Sequence, residues 1–329
     1  MPAPNPPQNT MQLQFLGTGA GMPSKTRNVS AIALNLDQPT AQTWLFDCGE
    51  ATQHTILHTP IRPGRIRRIF ITHLHGDHIF GLPGLLTSRG MMGCDTPIDL
   101  YGPAGIRRFL ETALETSASY LPYPLHIHEI SEPGVVHEDE QHRVSAHPLN
   151  HGVPSYAYRI QESMQSGTLD VARLRAEGVP AGPLYRRLKE GETITLGDGR
   201  VLHGADYCAS APAERRIIIF GDTCHDDAHA DFCRDADLIV HEATFAGGEE
   251  ERAARHGHST ADQTARLARD AGAKQLYLTH ISARYDEAET AALLERARTI
   301  FPATHLAHDR LVVDVPRATP RHDAGQAGH

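Results

Sequence analysis

Residues 66–78 read IRRIFITHLHGDH, and this stretch determines both the fold class and the kind of site to expect. The apolar residues Ile69, Phe70 and Ile71 predict a buried strand. The strand is followed by four ligand-type side chains within six residues, namely His73, His75, Asp77 and His78. Because burying such groups without partners is costly, the pattern predicts a metal site at the end of the strand. We expect Gly76 to allow the turn that brings the last two ligands round.

Other predicted strands also end in ligand-type residues. RIIIFGD ends at Asp222, DLIVHE at Glu242 and KQLYLTH at His280, while His151 lies in a Gly/Pro-containing loop. Since open α/β sheets place their sites beyond the carboxyl ends of strands, we expect these side chains to meet. The predicted set is His73, His75 and His151 for one metal, Asp77, His78 and His280 for a second, and Asp222 as the bridge. Nitrogen and oxygen ligands without thiolate favour two zinc ions, with manganese or iron as alternatives.

The chain alternates short β-rich runs with helical stretches, which predicts an α/β protein without internal repeats. We predict one catalytic domain over residues 11–315, between a disordered lead-in at 1–10 and a disordered tail at 316–329. Within it, residues of about 161–202 are rich in Gly, Pro and basic side chains, and they predict an inserted arm.

The composition limits the function classes. No apolar run approaches a membrane span, and MPAPNPPQNT does not resemble a secretion signal, so we expect a cytoplasmic protein. The five scattered cysteines indicate neither a disulfide framework nor a thiolate zinc site, whereas 22 histidines fit a metal protein. The net charge of −9 requires any nucleic-acid binding to use local basic patches.

Several motifs resemble a known family. HLHGDH is the HxHxDH signature of the metallo-β-lactamase superfamily. The match narrows to ribonuclease Z, the endonuclease that trims 3′ trailers from tRNA precursors, on PSKTRN, NHGVPSYAYRI, GVPAGPLYRRLKEG, HEATF, HSTA and LTHIS. The resemblance spans nearly residues 13–315. It implies an αββα sandwich with an inserted exosite arm, and a zinc-dependent phosphodiesterase that leaves a 3′-hydroxyl on the tRNA.

The resemblance also implies catalytic roles. A hydroxide bridging the two metals would attack the phosphodiester, with Asp77 orienting it and accepting its proton. His258, held by Glu242, would protonate the leaving ribose oxygen. Independently, Thr260 and Gln263 fit a capping box that starts a helix running to about Ala271, close to His258. The helix dipole would lower the pKa of His258, but we expect a buried Glu242 to prevail and raise it.

The resemblance implies an RNA-binding surface and an assembly as well. Basic residues of the arm and of the PxKxRN loop are the predicted tRNA contacts: Lys25, Arg27, Asn28, Arg186, Arg187 and Lys189. The family is homodimeric, with one subunit's arm presenting precursor tRNA to the other subunit's metals. This chain departs from the family at Ala51 and Ala157, where glycine is usual, and in an SRGMMG loop; we expect effects on substrate fit.

Two other readings compete. A small-molecule hydrolase of the same fold, such as a thioesterase, lactonase or cyclic-nucleotide phosphodiesterase, would share HLHGDH and Asp222. The arm and the HEAT and HST motifs argue against it. A non-catalytic RNA-binding scaffold would be expected to have lost metal ligands, and this sequence retains all of them.

Overall fold

The computed structural model describes residues 11–36, 41–162, 169–208 and 214–315. The predictions for the lead-in and the tail therefore lie outside the described residues. The described chain divides into two compact units. The larger contains the described residues of Met1–Glu138, Arg143–Ile160 and Arg216–Pro316, and the smaller those of Asp139–His142 and Gln161–Arg215.

The first large sheet has seven strands in the order β18-β1-β3-β4-β5-β6-β7. The strands from β4 to β7 run parallel, whereas β18, β1, β3 and β4 pair antiparallel. Their bounds are β1 Met11–Gly17, β3 Ala31–Leu36, β4 Gln42–Phe46, β5 Ile66–Phe70, β6 Ile98–Pro103, β7 Leu125–Ile130 and β18 Val312–Asp314.

The second large sheet has the order β17-β15-β14-β13-β10-β9-β8, with β13, β14, β15 and β17 parallel. Its strands are β8 Gly134–Glu138, β9 His142–Leu149, β10 Ser155–Glu162, β13 Arg216–Ile219, β14 Leu238–Glu242, β15 Leu276–Thr279 and β17 Thr304–Leu306. Two short pairs complete the strands: β2 Gly19–Ala20 with β16 Ile281–Ser282, and β11 Thr193–Thr195 with β12 Val201–His203.

Alternation along the strands sorts side chains into layers. In β5, Ile69 belongs to one apolar cluster and Phe70 to the other, because successive side chains point to opposite faces. Phe70 stacks on Phe46 at 5.1 Å between ring centroids, in a core that side chains of both sheets share. The second apolar cluster packs the first sheet against α1, α3 and α4, and a third packs the second sheet against α8, α10 and α11. The larger unit is therefore helices, sheet, sheet and helices, which confirms the predicted αββα class.

The helices are short, and two begin with capping boxes. Thr260 with Gln263 caps α10, as the sequence predicts, and Asp286 with Glu289 caps α11. The bounds are α1 Thr52–Ile56, α2 Gly76–Ile79, α3 Leu82–Met91, α4 Ile106–Thr116, α5 Val171–Ala176, α6 Pro183–Lys189, α7 Gly204–Tyr207, α8 His229–Cys233, α9 Glu250–Arg255, α10 Ala261–Asp270 and α11 Glu287–Ile300; a 3-10 turn covers Pro63–Arg65.

The smaller unit has an apolar core of its own. It consists of Leu174, Val179, Leu188, Ile194, Leu202 and Tyr207. Glu162 and Arg215, one at each end of the described stretch, form a buried ion pair at 2.6 Å. The predicted arm at about 161–202 lies within this unit, whose described residues extend to Arg215. Across the described parts of both units, none of the helices has the length and apolar character needed to span a bilayer.

Candidate metal centre and catalytic residues

The HLHGDH segment leaves the first sheet just beyond β5. His73 is fully buried and His75 is exposed, and α2 then carries Asp77 and His78. Gly76 does not use the turn freedom that the sequence suggested, because its φ is not positive. Its lack of a side chain matters for another reason: a Cβ there would lie 2.1 Å from the ring of Phe80.

The first group of predicted ligands converges from three loops. His73, His75, His151 and Asp222 offer ligand atoms that all lie within 4.8 Å of one another. His75 Nδ1 lies 3.1 Å from His73 Nε2 and 3.2 Å from His151 Nε2. These residues are up to 149 positions apart in the chain (Asp222 and His73), so the folded sheet edges are what bring them together.

The second group also converges. Asp77, His78 and His280 have ligand atoms within the same 4.8 Å limit. Asp77 Oδ2 lies 3.3 Å from His280 Nε2 and 3.5 Å from His78 Nε2. The structure thus places these three residues in one group, which is the group predicted from the sequence.

Asp222 lies between the two groups. Its Oδ2 atom lies 3.6 Å from His73 Nε2, 3.6 Å from His78 Nε2 and 3.4 Å from His280 Nε2. One carboxylate oxygen therefore faces imidazoles of both groups, as a bridging ligand would. Burial would raise the pKa of Asp222, but the charges of His280, His78 and His73 hold it well below its usual range.

The donor set suits bound cations. His78 Nε2 is buried and has no hydrogen-bond partner among the described residues, although it faces Asp77 and Asp222. An orphaned buried nitrogen is costly, and a cation between these groups would supply its partner. Burial, followed by the charge of His78, lowers the pKa of His73 well below its usual value, which keeps its nitrogen lone pair available for a metal.

Asp47 orients this site, and the sequence analysis did not identify it. It follows β4, and its carboxylate accepts hydrogen bonds from Thr72 N at 2.7 Å and Thr72 Oγ1 at 2.8 Å. The same carboxylate contacts His78 Nδ1 at 2.7 Å, which fixes the ring so that Nε2 points into the site. The available signal was its position, because Asp47 ends an apolar strand next to β5 in the sheet.

Two more of the candidate ligands also contact residues outside the two ligand groups, through their second ring nitrogen. His151 Nδ1 lies 2.7 Å from the carbonyl oxygen of Gly257, and His280 Nδ1 lies 2.8 Å from Thr244 Oγ1. Thr244 also donates to Glu242 Oε2 at 2.7 Å. Such contacts set the tautomer and direction of a metal-binding imidazole. Thr244 of the HEAT motif therefore contacts both a candidate metal ligand, His280, and the carboxylate of Glu242.

Glu242 and His258 form a hydrogen-bonded pair next to the candidate metal groups. Glu242 Oε1 lies 3.0 Å from His258 Nδ1 and also accepts from the backbone amides of Ser259 and Thr223. Burial alone would lower the pKa of His258, but the hydrogen bond and charge of Glu242 prevail and raise it to about 9. The direction is the one expected from the sequence.

An open cleft of about 350 Å³ gives access to the site. Its walls include Arg252 and Arg284, which the sequence analysis did not single out. Both guanidinium groups approach Glu249, at 3.1 Å and 3.8 Å. Nothing in the sequence indicates that two arginines so far apart line the same cleft, so this pair is apparent only in the folded chain.

The predicted RNA contacts differ in exposure. Lys25, Arg186, Arg187 and Lys189 are exposed, whereas Arg27 and Asn28 are half-buried. Arg27 Nη1 donates to Thr18 Oγ1 and to the carbonyl oxygen of Ala307, both at 2.7 Å. Arg186 and Arg187 make exposed ion pairs with Glu190 and Glu192.

The larger unit and its histidine–aspartate site define a hydrolase of the metallo-β-lactamase fold. A family model described as a beta-lactamase superfamily domain matches residues 207–281, and one described as anti-Pycsar protein Apyc1 matches residues 11–159. The fold is therefore the one that the HxHxDH motif indicates.

Closer relatives identify the family. The chain is 52% identical over 305 residues to ribonuclease BN of Cronobacter sakazakii, covering 93% of this chain and 100% of the relative. It is 56% identical over 299 residues to ribonuclease Z of Anoxybacillus flavithermus, covering 91% and 96%. The crystal structure of the short form of human tRNase Z matches with a TM-score of 0.67 and 30% identity, over 93% of this chain and 99% of that one. The chain belongs to the ribonuclease Z family, whose members are hydrolytic endoribonucleases.

Proposed function

We propose that this protein is a zinc-dependent endoribonuclease that removes the 3′ trailer from precursor tRNA and leaves a 3′-hydroxyl on the tRNA. The observation that carries the proposal is the position of Asp222 Oδ2, which faces ligands of both metal groups beside the Glu242–His258 pair. Family membership and the relative named tRNase Z support the substrate.

In this proposal one cation would be held by His73, His75 and His151 and the other by Asp77, His78 and His280. Asp222 would contribute to both sites. When bound, two such ions supply Lewis-acid activation of water and neutralise charge on the phosphate. Zinc suits these nitrogen and oxygen ligands, and manganese or iron would fit the same donors.

The protein side chains provide the proton transfers. Asp77 accepts a hydrogen bond from Gly21 N at 2.9 Å, which restricts the orientation of its carboxylate. We assign this carboxylate to orient the attacking water and accept its proton. His258 is protonated at neutral pH, because its pKa is about 9, so it can donate a proton to the leaving ribose 3′-oxygen. Glu242 holds His258 in place and keeps it charged.

Substrate binding follows from local charge. The exposed basic residues of α6 are Arg186, Arg187 and Lys189, and they suit the phosphate backbone of a folded RNA despite the net charge of −9. We assign the predicted arm, about 161–202, as the tRNA-binding exosite of the catalytic domain. We further propose a homodimer that works in the cytoplasm, by analogy with the family.

The decisive experiment is incubation of the zinc-loaded protein with a precursor tRNA, followed by mapping of the new ends. We expect one cut just after the discriminator nucleotide, a 3′-hydroxyl on the tRNA, and loss of the cut with a chelator. The matched control is Asp222→Asn, which removes the shared charge. A protein that binds two metals and hydrolyses bis-nitrophenyl phosphate but leaves precursor tRNA intact would refute the substrate, in favour of a small-molecule hydrolase.

A further inference from the structure

Thr18 lies at the centre of a partly buried hydrogen-bond network that also includes Arg27, Asn28 and Asp309. Its side chain is fully buried. Its hydroxyl donates to Asp309 Oδ1 at 2.7 Å and accepts from Arg27 Nη1 at 2.7 Å. A buried hydroxyl with one donated and one accepted bond is fully committed to a single orientation.

Asp309 ties the same network to the backbone of the PxKxRN loop. Its second oxygen, Oδ2, accepts from Asn28 N at 2.6 Å. The carbonyl oxygen of Asn28 in turn accepts from Thr18 N at 2.9 Å and Gly19 N at 2.8 Å. The carboxylate and the loop backbone therefore hold the start of β2 from two directions.

One branch of the hydrogen-bond network leads from Thr18 to His280. Ile281 N donates to the carbonyl oxygen of Thr18 at 2.9 Å, and β16 pairs with β2 through Ile281 and Gly19. His280 itself has a φ of 55°, a left-handed conformation that is strained for a residue other than glycine. A strained backbone persists only where its surroundings hold it, and here the surroundings include the bond to Thr18.

The other branch of the hydrogen-bond network leads to Asp77. Gly21 follows β2 directly and donates its N–H to Asp77 Oδ2 at 2.9 Å. The same oxygen lies 3.3 Å from His280 Nε2. Displacement of residues 19–21 would thus disturb both members of the Asp77–His280 pair.

We propose that Thr18 and Asp309 are positioning residues for the second metal group, acting through residues 19–21 on Asp77 and His280. The inference rests on the proposed assignment of those two residues as metal ligands. Arg27 Nη1, through Thr18 and Ala307, and the backbone amide of Asn28, through Asp309, belong to the same network.

The test compares Thr18→Val, which keeps the shape but removes the hydroxyl, with Thr18→Ser, which keeps the hydroxyl. Zinc retention is measured in full-length protein by titration with a competing chelator, alongside hydrolysis of bis-nitrophenyl phosphate. We expect Thr18→Val to hold one of its two zinc ions about 10–100-fold more weakly and to lose kcat with little change in KM, as for other outer-shell partners. Thr18→Ser should resemble the wild type.

Asp309→Asn is a second route to the same network, and it serves if Thr18→Val does not fold. It should show the same selective weakening of one zinc site. The proposal would be overturned if folded Thr18→Val or Asp309→Asn bound zinc at both sites as tightly as the wild type does. It would also be overturned if Thr18→Ser were as impaired as Thr18→Val. A wild-type protein that binds no zinc would instead refute the proposed function, so the two failures are distinguishable.

Discussion

Glu242 Oε1 lies 3.0 Å from His258 Nδ1, and the glutamate is 1% exposed. A carboxylate so buried binds its partner strongly, because little water competes for the charge. The pair joins two motifs, HEAT and HST, that are separated in the sequence but adjacent in the folded chain. His258 Nδ1 also lies 3.9 Å from Oδ2 of Asp222, the proposed bridging ligand.

Removing the His258 imidazole should affect the chemistry and spare the metals. We expect His258→Ala to lower kcat on precursor tRNA by about 10²–10⁴-fold, the usual contribution of a general acid. Zinc content, measured by elemental analysis, should stay at the wild-type level. Loss of zinc in this variant would mean that His258 is a ligand, a role open to it because it also groups with Asp222 and His280.

The alkaline limit of activity should depend on Glu242. A general acid is active while protonated, so turnover should fall as pH rises through the His258 pKa of about 9. Glu242→Gln removes the charge that raises this pKa, and the falling limb of the kcat profile should move to lower pH. The measurement is a pH profile on precursor tRNA with both proteins at full zinc occupancy. An unmoved limb would assign the ionisation to another group.

Charge reversal on α6 should separate RNA binding from chemistry. The variant Arg186→Glu/Arg187→Glu/Lys189→Glu should raise KM for precursor tRNA at least tenfold and reduce the salt dependence of binding, since phosphate contacts release counterions. Hydrolysis of bis-nitrophenyl phosphate should not change. The matched control, Arg173→Glu/Arg175→Glu on α5, tests whether any loss of positive charge in the smaller unit suffices. Equal loss on both substrates would contradict an exosite role.

Ala51 gives a stability prediction that is independent of the site. It precedes α1 with a φ of 58°, a conformation that glycine adopts without the penalty that alanine incurs. The family glycine at this position therefore has a conformational reason. Ala51→Gly should raise the free energy of unfolding by up to about 1 kcal/mol, because strain relief exceeds the added chain entropy. Urea unfolding measures this, and a less stable variant would show that the strain is absent.

His229 should make the protein sensitive to acid. Burial, aided by the charges of His241 and His147, lowers its pKa from 6.5 to about 4. A histidine with a depressed folded pKa stabilises the fold above its unfolded pKa, and this stability is lost as pH falls from about 6.5 towards 4. His229→Asn should therefore lose less stability between pH 7 and pH 5 than the wild type, by on the order of 1 kcal/mol. Parallel losses in urea unfolding would exclude His229 as the sensor.

Much of the fold was predictable because buried strands and helices produce regular patterns of apolar residues in the sequence. Strands that are buried on both faces, such as Leu276–Thr279, appear as mainly apolar runs, and the capping box at Thr260 indicates where α10 begins. The HxHxDH motif could be recognised because its four ligand-type residues lie within six consecutive positions of the sequence. Asp47 was missed because one carboxylate after a strand carries no distinctive spacing, and Arg252 and Arg284 were missed because their shared wall exists only in the folded chain.

The sequence by itself determined the fold class, the family, and which residue types can bind metal. Local patterns suffice for these, since strand alternation and short motifs depend on neighbouring residues. Only the tertiary structure decided that Asp222 Oδ2 faces both ligand groups, that Asp47 orients His78, and that Thr18 and Asp309 form a hydrogen bond. Those relationships join residues up to 291 positions apart, and they depend on the pairing of sheet edges and short strands, for which the linear chain has no spacing rule.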